Sequence, residues 1–117
     1  NGDLRAPGVT TMEVRWVQLD DETAASLNAG HGHMGIFELA DENEHPLFIG
    51  YAGGRSVGGL SREIREAYQR VPGTTFVRWE VTTSYLSRYQ ERLMRHVAQY
   101  GEPPLHNPNA PKGQLSP

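Results

Sequence analysis

The chain has 117 residues, 37% of them hydrophobic, and a formal net charge of −3, which fits one small domain with a modest core and leaves no room for a second. It has no cysteine, so neither a disulfide framework nor a thiolate metal site can hold it together. No apolar stretch approaches the length of a membrane helix or the core of a signal peptide, so a soluble, cytoplasmic protein with no membrane partner is expected.

Residues 1–10 carry Gly2, Pro7 and Gly8 without periodicity and read as a flexible lead-in, placing the domain at 11–107. Met12 to Leu19 alternates as a strand, with Trp16 expected in the core. Asp20 or Asp21 can cap a short helix running to Asn28, which Gly30 and Gly32 then break. His31 and His33 flank Gly32. Two apart in extended chain, they would share a side and could present a metal pair or a general base; in a glycine-rich turn they read as solvated loop histidines.

Gly35 to Gly54 follows as two apolar runs, GIFEL and PLFIG, joined by the polar Asp41-Glu42-Asn43-Glu44. Their aromatic and β-branched content predicts an antiparallel hairpin. Pro46 cannot donate to a ladder, so the second strand begins at or after it. Tyr51 to Gly59 holds four glycines in nine residues and reads as a flexible connection.

Leu60 to Val71 has the apolar spacing of a helix (Leu60, Ile64, Ala67, Tyr68, Val71), with Ser61 as its expected cap and Pro72-Gly73 as its stop. Thr74 to Thr83 is the strongest strand signal, with Val77, Trp79 and Val81 on the face expected to cover a helix. Ser84 is the expected cap of a last helix, Tyr85 to Tyr100, whose apolar stripe is Tyr85, Leu86, Tyr89, Leu93, Met94, Val97 and Tyr100. Gly101 and Pro103-Pro104 end it. The tail 108–117 lacks periodicity and is expected to be disordered. The fold class is therefore α/β in the broad sense, α+β more narrowly: a small central antiparallel sheet of three to four strands flanked by helices.

Charge is unevenly spread. Residues 1–54 hold two arginines against nine acidic residues, a balance of −7, whereas residues 55–100 hold eight arginines against four glutamates, a balance of +4. Arginine's planar fork suits phosphate and carboxylate recognition, which weakly favours an anionic ligand in the second half.

The triplets Gly35-Ile36-Phe37 and Phe48-Ile49-Gly50, on neighbouring predicted strands, resemble the two motifs of the GIY-YIG nuclease family. The resemblance spans Gly35 to Asn107 and includes the order of elements, a glutamate on the last helix (Glu91) and the closing Pro104-Leu105-His106-Asn107 turn. It implies a metal-dependent endonuclease acting on nucleic-acid phosphodiesters. Glu91 would hold Mg²⁺ or Mn²⁺, Arg62 or Arg55 would stabilise the scissile phosphate, and Asn107 would brace the site. By its residues alone, Glu91 reads as a solvent-facing glutamate paired with Arg88 or Arg95, and only the resemblance brings the metal-binding reading level with it.

The sequence departs from that pattern where the family carries its two motif tyrosines. Phe37 and Phe48 keep the ring and lose the hydroxyl, and loss of a general base typically costs roughly 10²–10⁴ in rate. The family's helix arginine falls on Glu63 without a gap and on Arg62 after a one-residue shift, with Arg65 nearly a turn away. His33 is the best substitute base, and a bulge at the glycines could turn Tyr51 inward. Tyr51 and Tyr68 have packing as their plainer role. The expectation is a GIY-YIG-type domain whose activity is reduced or lost, the alternative being a non-catalytic module for nucleic-acid or protein binding.

Overall fold

A computed structural model describes residues 15–28 and 31–107. The lead-in 1–10, the start of the first expected strand (12–14), the expected helix breaker Gly30 and the tail 108–117 lie outside the described residues. Within them the elements are β1 (Val17–Gln18), α1 (Asp21–Ala25), β2 (Gly35–Ala40), β3 (Pro46–Ala52), α2 (Gly59–Arg70), β4 (Phe76–Val81) and α3 (Tyr85–Tyr100). The strands form one antiparallel sheet in the order β1-β4-β2-β3. This is the expected α+β architecture, in the expected element order.

The β2–β3 hairpin is closed by a side chain. Asp41 Oδ1 accepts the backbone N–H groups of Asn43 (2.8 Å) and His45 (3.0 Å), and Glu44 takes a left-handed φ of 62° to complete the turn. The ladder shifts register between Leu39 and Ala40, so that Ala40 pairs with Pro46. Two motif glycines are fixed by close approach. A Cβ on Gly35 would lie 2.1 Å from the Glu80 carbonyl oxygen, and one on Gly50 would lie 2.5 Å from the Phe37 ring.

β2 is buried along its whole length, and its two faces differ in chemistry. Phe37 and Leu39, with Val77 from β4, meet Leu60, Ile64 and Ala67 of α2 and Val71 at its C-cap, and Leu19 and Ala24 close the same core from the α1 side. On the opposite face Ile49 packs with Leu93 and Tyr89 of α3, beside the buried carboxylate of Glu38. The apolar core therefore lies under α2, and the α3 face is partly charged.

That asymmetry corrects several expectations. Of the stripe predicted on α3, Leu86, Met94, Val97 and Tyr100 are exposed, Met94 at 69%. The buried positions are Arg88, Leu93 and His96. The sheet presents Glu38, Arg78 and Glu80 to this helix, and carboxylates draw arginines inward where an apolar face would draw leucines. Trp16 is half-buried outside the apolar core, with the Arg78 guanidinium 4.1 Å from its ring centroid. Val81 is exposed, so that only Val77 and Trp79 of the predicted face meet the α2-side core.

The helix starts differ as well. Gly58 is the N-cap of α2 at φ 86°, and Ser61 lies inside the first turn, donating its hydroxyl to the Gly58 carbonyl (3.2 Å). Ser84 occupies the N-cap position of α3 without a side-chain cap bond. α1 is shorter than expected, ending at Ala25, with Asp20 and Thr23 forming a reciprocal capping box.

Candidate functional site

The end of β3, the glycine-rich loop after it and the first turns of α2 and α3 enclose an open cleft of about 670 Å³. Tyr51, Arg55, Ser56, Arg62, Glu63 and Tyr85 line it. The loop is held in shape locally: the Gly53 N–H donates to Ser56 Oγ (2.9 Å), and the Gly54 N–H reaches Tyr85 Oη (3.4 Å). Gly53 must lack a side chain, because a Cβ there would lie 2.8 Å from the Tyr85 ring.

Three tyrosines support one wall. Tyr51 stacks on Tyr85 with centroids 5.6 Å apart and planes 21° from parallel, and it meets Tyr89 edge to face at 4.9 Å. Burial, and then the neighbouring Tyr51, push the Tyr89 hydroxyl pKa above its ordinary value. On the other wall Arg62 pairs with Glu66 across one helical turn at 2.9 Å, both half-exposed, so the guanidinium can exchange partners with little loss.

The structure thus brings Tyr51, Arg55 and Arg62 together. The other sequence-selected residues lie elsewhere. Phe37 is 2% exposed in the α2-side core, its ring 5.9 Å from that of Phe48, which packs against the same core. A hydroxyl at Phe37 would need a partner among apolar side chains. His33 is exposed before β2, where its carbonyl accepts the Leu60 N–H (3.0 Å), and it does not line the cleft. Arg65 turns the other way and donates to the Leu27 carbonyl (3.0 Å). Tyr68 donates to Asp21 (2.8 Å), a bond that raises its pKa.

Glu91 sits on α3 outside the cleft lining. Its carboxylate accepts from Arg88 and, at 3.4 Å, from Arg95, while Arg88 also holds Glu80 at 2.7 Å. Hydrogen bonding to Glu80 raises the Arg88 pKa, so this guanidinium stays charged. A divalent cation at Glu91 would have to displace the guanidiniums of Arg88 and Arg95 from its carboxylate. Among the described residues no three His, Cys, Asp or Glu side chains converge as a metal-binding group.

Asn107 is buried and works on the scaffold. Its Oδ1 accepts the Ile49 N–H and its Nδ2 donates to the Ile49 carbonyl, both at 2.9 Å.

Tyr85 was hidden in the sequence among the apolar positions of α3, where its spacing predicts packing alone. The Glu38, Arg78 and Arg92 group did leave a signal, a glutamate inside the otherwise apolar GIFEL strand.

No protein-family model matches the chain, nor does any curated protein or solved structure.

Proposed function

We propose that the chain is a GIY-YIG-like domain that binds nucleic-acid phosphodiesters in the cleft between β3 and α2, with hydrolytic activity reduced or lost. The observation that carries this reading is the convergence of Arg55 and Arg62 beside the stacked Tyr51 and Tyr85. Guanidinium forks pair with phosphate oxygens, and tyrosine faces accept bases or sugars. The element order from Gly35 onward, and the closure of Asn107 onto the Phe48-Ile49-Gly50 strand, support the kinship on which the nucleic-acid assignment rests. Reduced activity follows from Phe37 and Phe48, which have no proton to exchange, and from Glu91, whose oxygens are engaged by arginines.

Glu63 and Glu66 also line the cleft, so binding is expected to be modest and strongly salt-dependent. The test is retardation of labelled DNA and RNA across a salt series, with Mg²⁺ or Mn²⁺ present and absent. Binding that weakens in Arg55→Ala with Arg62→Ala and survives Glu91→Ala supports the proposal. Metal-dependent nicking that vanishes in Glu91→Ala would establish an active nuclease instead. No binding at low salt would refute the assignment.

A further inference from the structure

A second cleft, of about 520 Å³, opens on the α3 face of the sheet, and none of its lining residues lines the first. It exists because α3 packs on β2 and β3, leaving side chains of β4 and Trp16 to face the helix across a gap. Arg78, Arg92 and Arg95 line it together with the carboxylates of Glu38 and Glu44, and Arg95 also reaches Glu91, outside the lining, at 3.4 Å.

The guanidiniums are held in place from below. Glu38, only 2% exposed, accepts from Arg78 Nε at 2.7 Å and from Arg92 at 3.2 Å. Arg78 in turn lies over the Trp16 ring. Two long side chains are thereby ordered before any ligand arrives, which removes much of the entropic cost of binding.

One donor in this group has no acceptor. Arg92, 12% exposed, has a buried Nε that makes no hydrogen bond. Buried donors are nearly always satisfied, and a guanidinium with an unused N–H, in a cleft that two further arginines line, favours an acceptor that carries negative charge. Three arginine forks favour a group with several oxygens over a single carbonyl.

We propose that the cleft between Trp16 and α3 is a second binding site that takes a small oxyanion of the phosphate-monoester class through Arg78, Arg92 and Arg95. The site is independent of the nucleic-acid reading, since it shares no residue with that cleft.

Trp16 supplies the readout, because the other tryptophan, Trp79, packs against the core on the opposite face. The full chain is titrated with inorganic phosphate at constant ionic strength, with chloride as the balancing anion, and tryptophan fluorescence is followed. The expected result is a saturable change that is absent from the chloride control and lost in Trp16→Phe. Arg95→Ala, at a half-exposed position, should weaken the apparent affinity about tenfold, as should Arg92→Lys, which keeps the charge and removes the fork. Thermal melts of both variants confirm that they are folded at the titration temperature. A response that does not saturate, persists in Trp16→Phe or is unchanged in folded Arg95→Ala overturns the proposal.

Discussion

Asn107 binds Ile49 through both ends of its side-chain amide, taking the N–H and the C=O of one strand residue at 2.9 Å each. A residue 58 positions away in the chain thus supplies what a further strand would have supplied. Truncation to alanine strands two buried backbone groups as well as removing two bonds. Asn107→Ala should therefore cost about 2–4 kcal/mol in urea unfolding, at about 1–3 kcal/mol for each stranded group, with partial compensation by water. Asn107→Asp should cost at least as much near neutral pH, because it buries a carboxylate oxygen against the Ile49 carbonyl where the amide had donated. An alanine variant within about 0.5 kcal/mol of the parent would show the amide to be dispensable.

Gly50 and Phe37 form a tightly fitted pair, the ring tip lying 2.5 Å from where a Cβ would stand. Gly50→Ala should destabilise by about 1–3 kcal/mol through overpacking. Combining it with Phe37→Leu should cost less than the sum of the single changes, because the smaller side chain vacates the contested space. Additive losses in the double variant would place the strain elsewhere.

Glu38 is the charge on which the α3 face depends. Removing it leaves Arg78 and Arg92, at 20% and 12% exposed, without their shared carboxylate. Glu38→Ala is expected to lose about 3–5 kcal/mol, the range for breaking a buried ion pair from one side. Glu66→Ala, which breaks an exposed pair, should lose less than about 1 kcal/mol. Equal losses in chemical denaturation would contradict the contrast in burial.

His96 makes stability depend on pH. It is buried, with its ring centroid 4.5 Å from that of Tyr100 and 6.4 Å from that of His45. Burial lowers its pKa below the ordinary 6.5; His45 and Arg92 add to that effect, while Glu38 and Glu102 oppose it. The unfolded chain then takes up the proton more readily than the folded one. The contribution of neutral His96 is present above about pH 6.5 and is lost as pH falls towards the folded value. The urea midpoint should drop between about pH 7.5 and pH 5.5, and His96→Gln should flatten that drop. Parallel slopes in parent and variant would assign the dependence to other groups.

The order of elements, the hairpin and the α2 stripe were legible in the sequence because each rests on local periodicity or on Gly and Pro punctuation. The inner face of α3 was not. Its apolar spacing points to Leu86, Met94 and Val97, while the burial of Arg88 depends on Glu80 of another strand. Such pairing is a tertiary fact with no local signature. Trp16 likewise reads as a core residue by type and proves to be a platform for a guanidinium. Of the site residues, Tyr51, Arg55 and Arg62 meet because β3 and α2 both begin or end beside the glycine loop, a proximity the connection length makes inevitable. Glu91 lies six residues along α3 from Tyr85, about 9 Å along the helix axis, and its distance from the cleft depends on how α3 is rotated against the sheet.

The turn at Pro104 to Asn107 has one more consequence. His106 donates its N–H to the Leu47 carbonyl (3.0 Å) while Asn107 occupies Ile49, so from Leu47 to Ile49 the outer margin of β3 has lost the bare hydrogen-bonding groups that invite another chain to dock as an extra strand. Recognition by β-augmentation is closed along this stretch, and so is the commonest route from a small sheet to a fibril. The closing turn covers this part of the sheet edge as well as holding the strand beneath it.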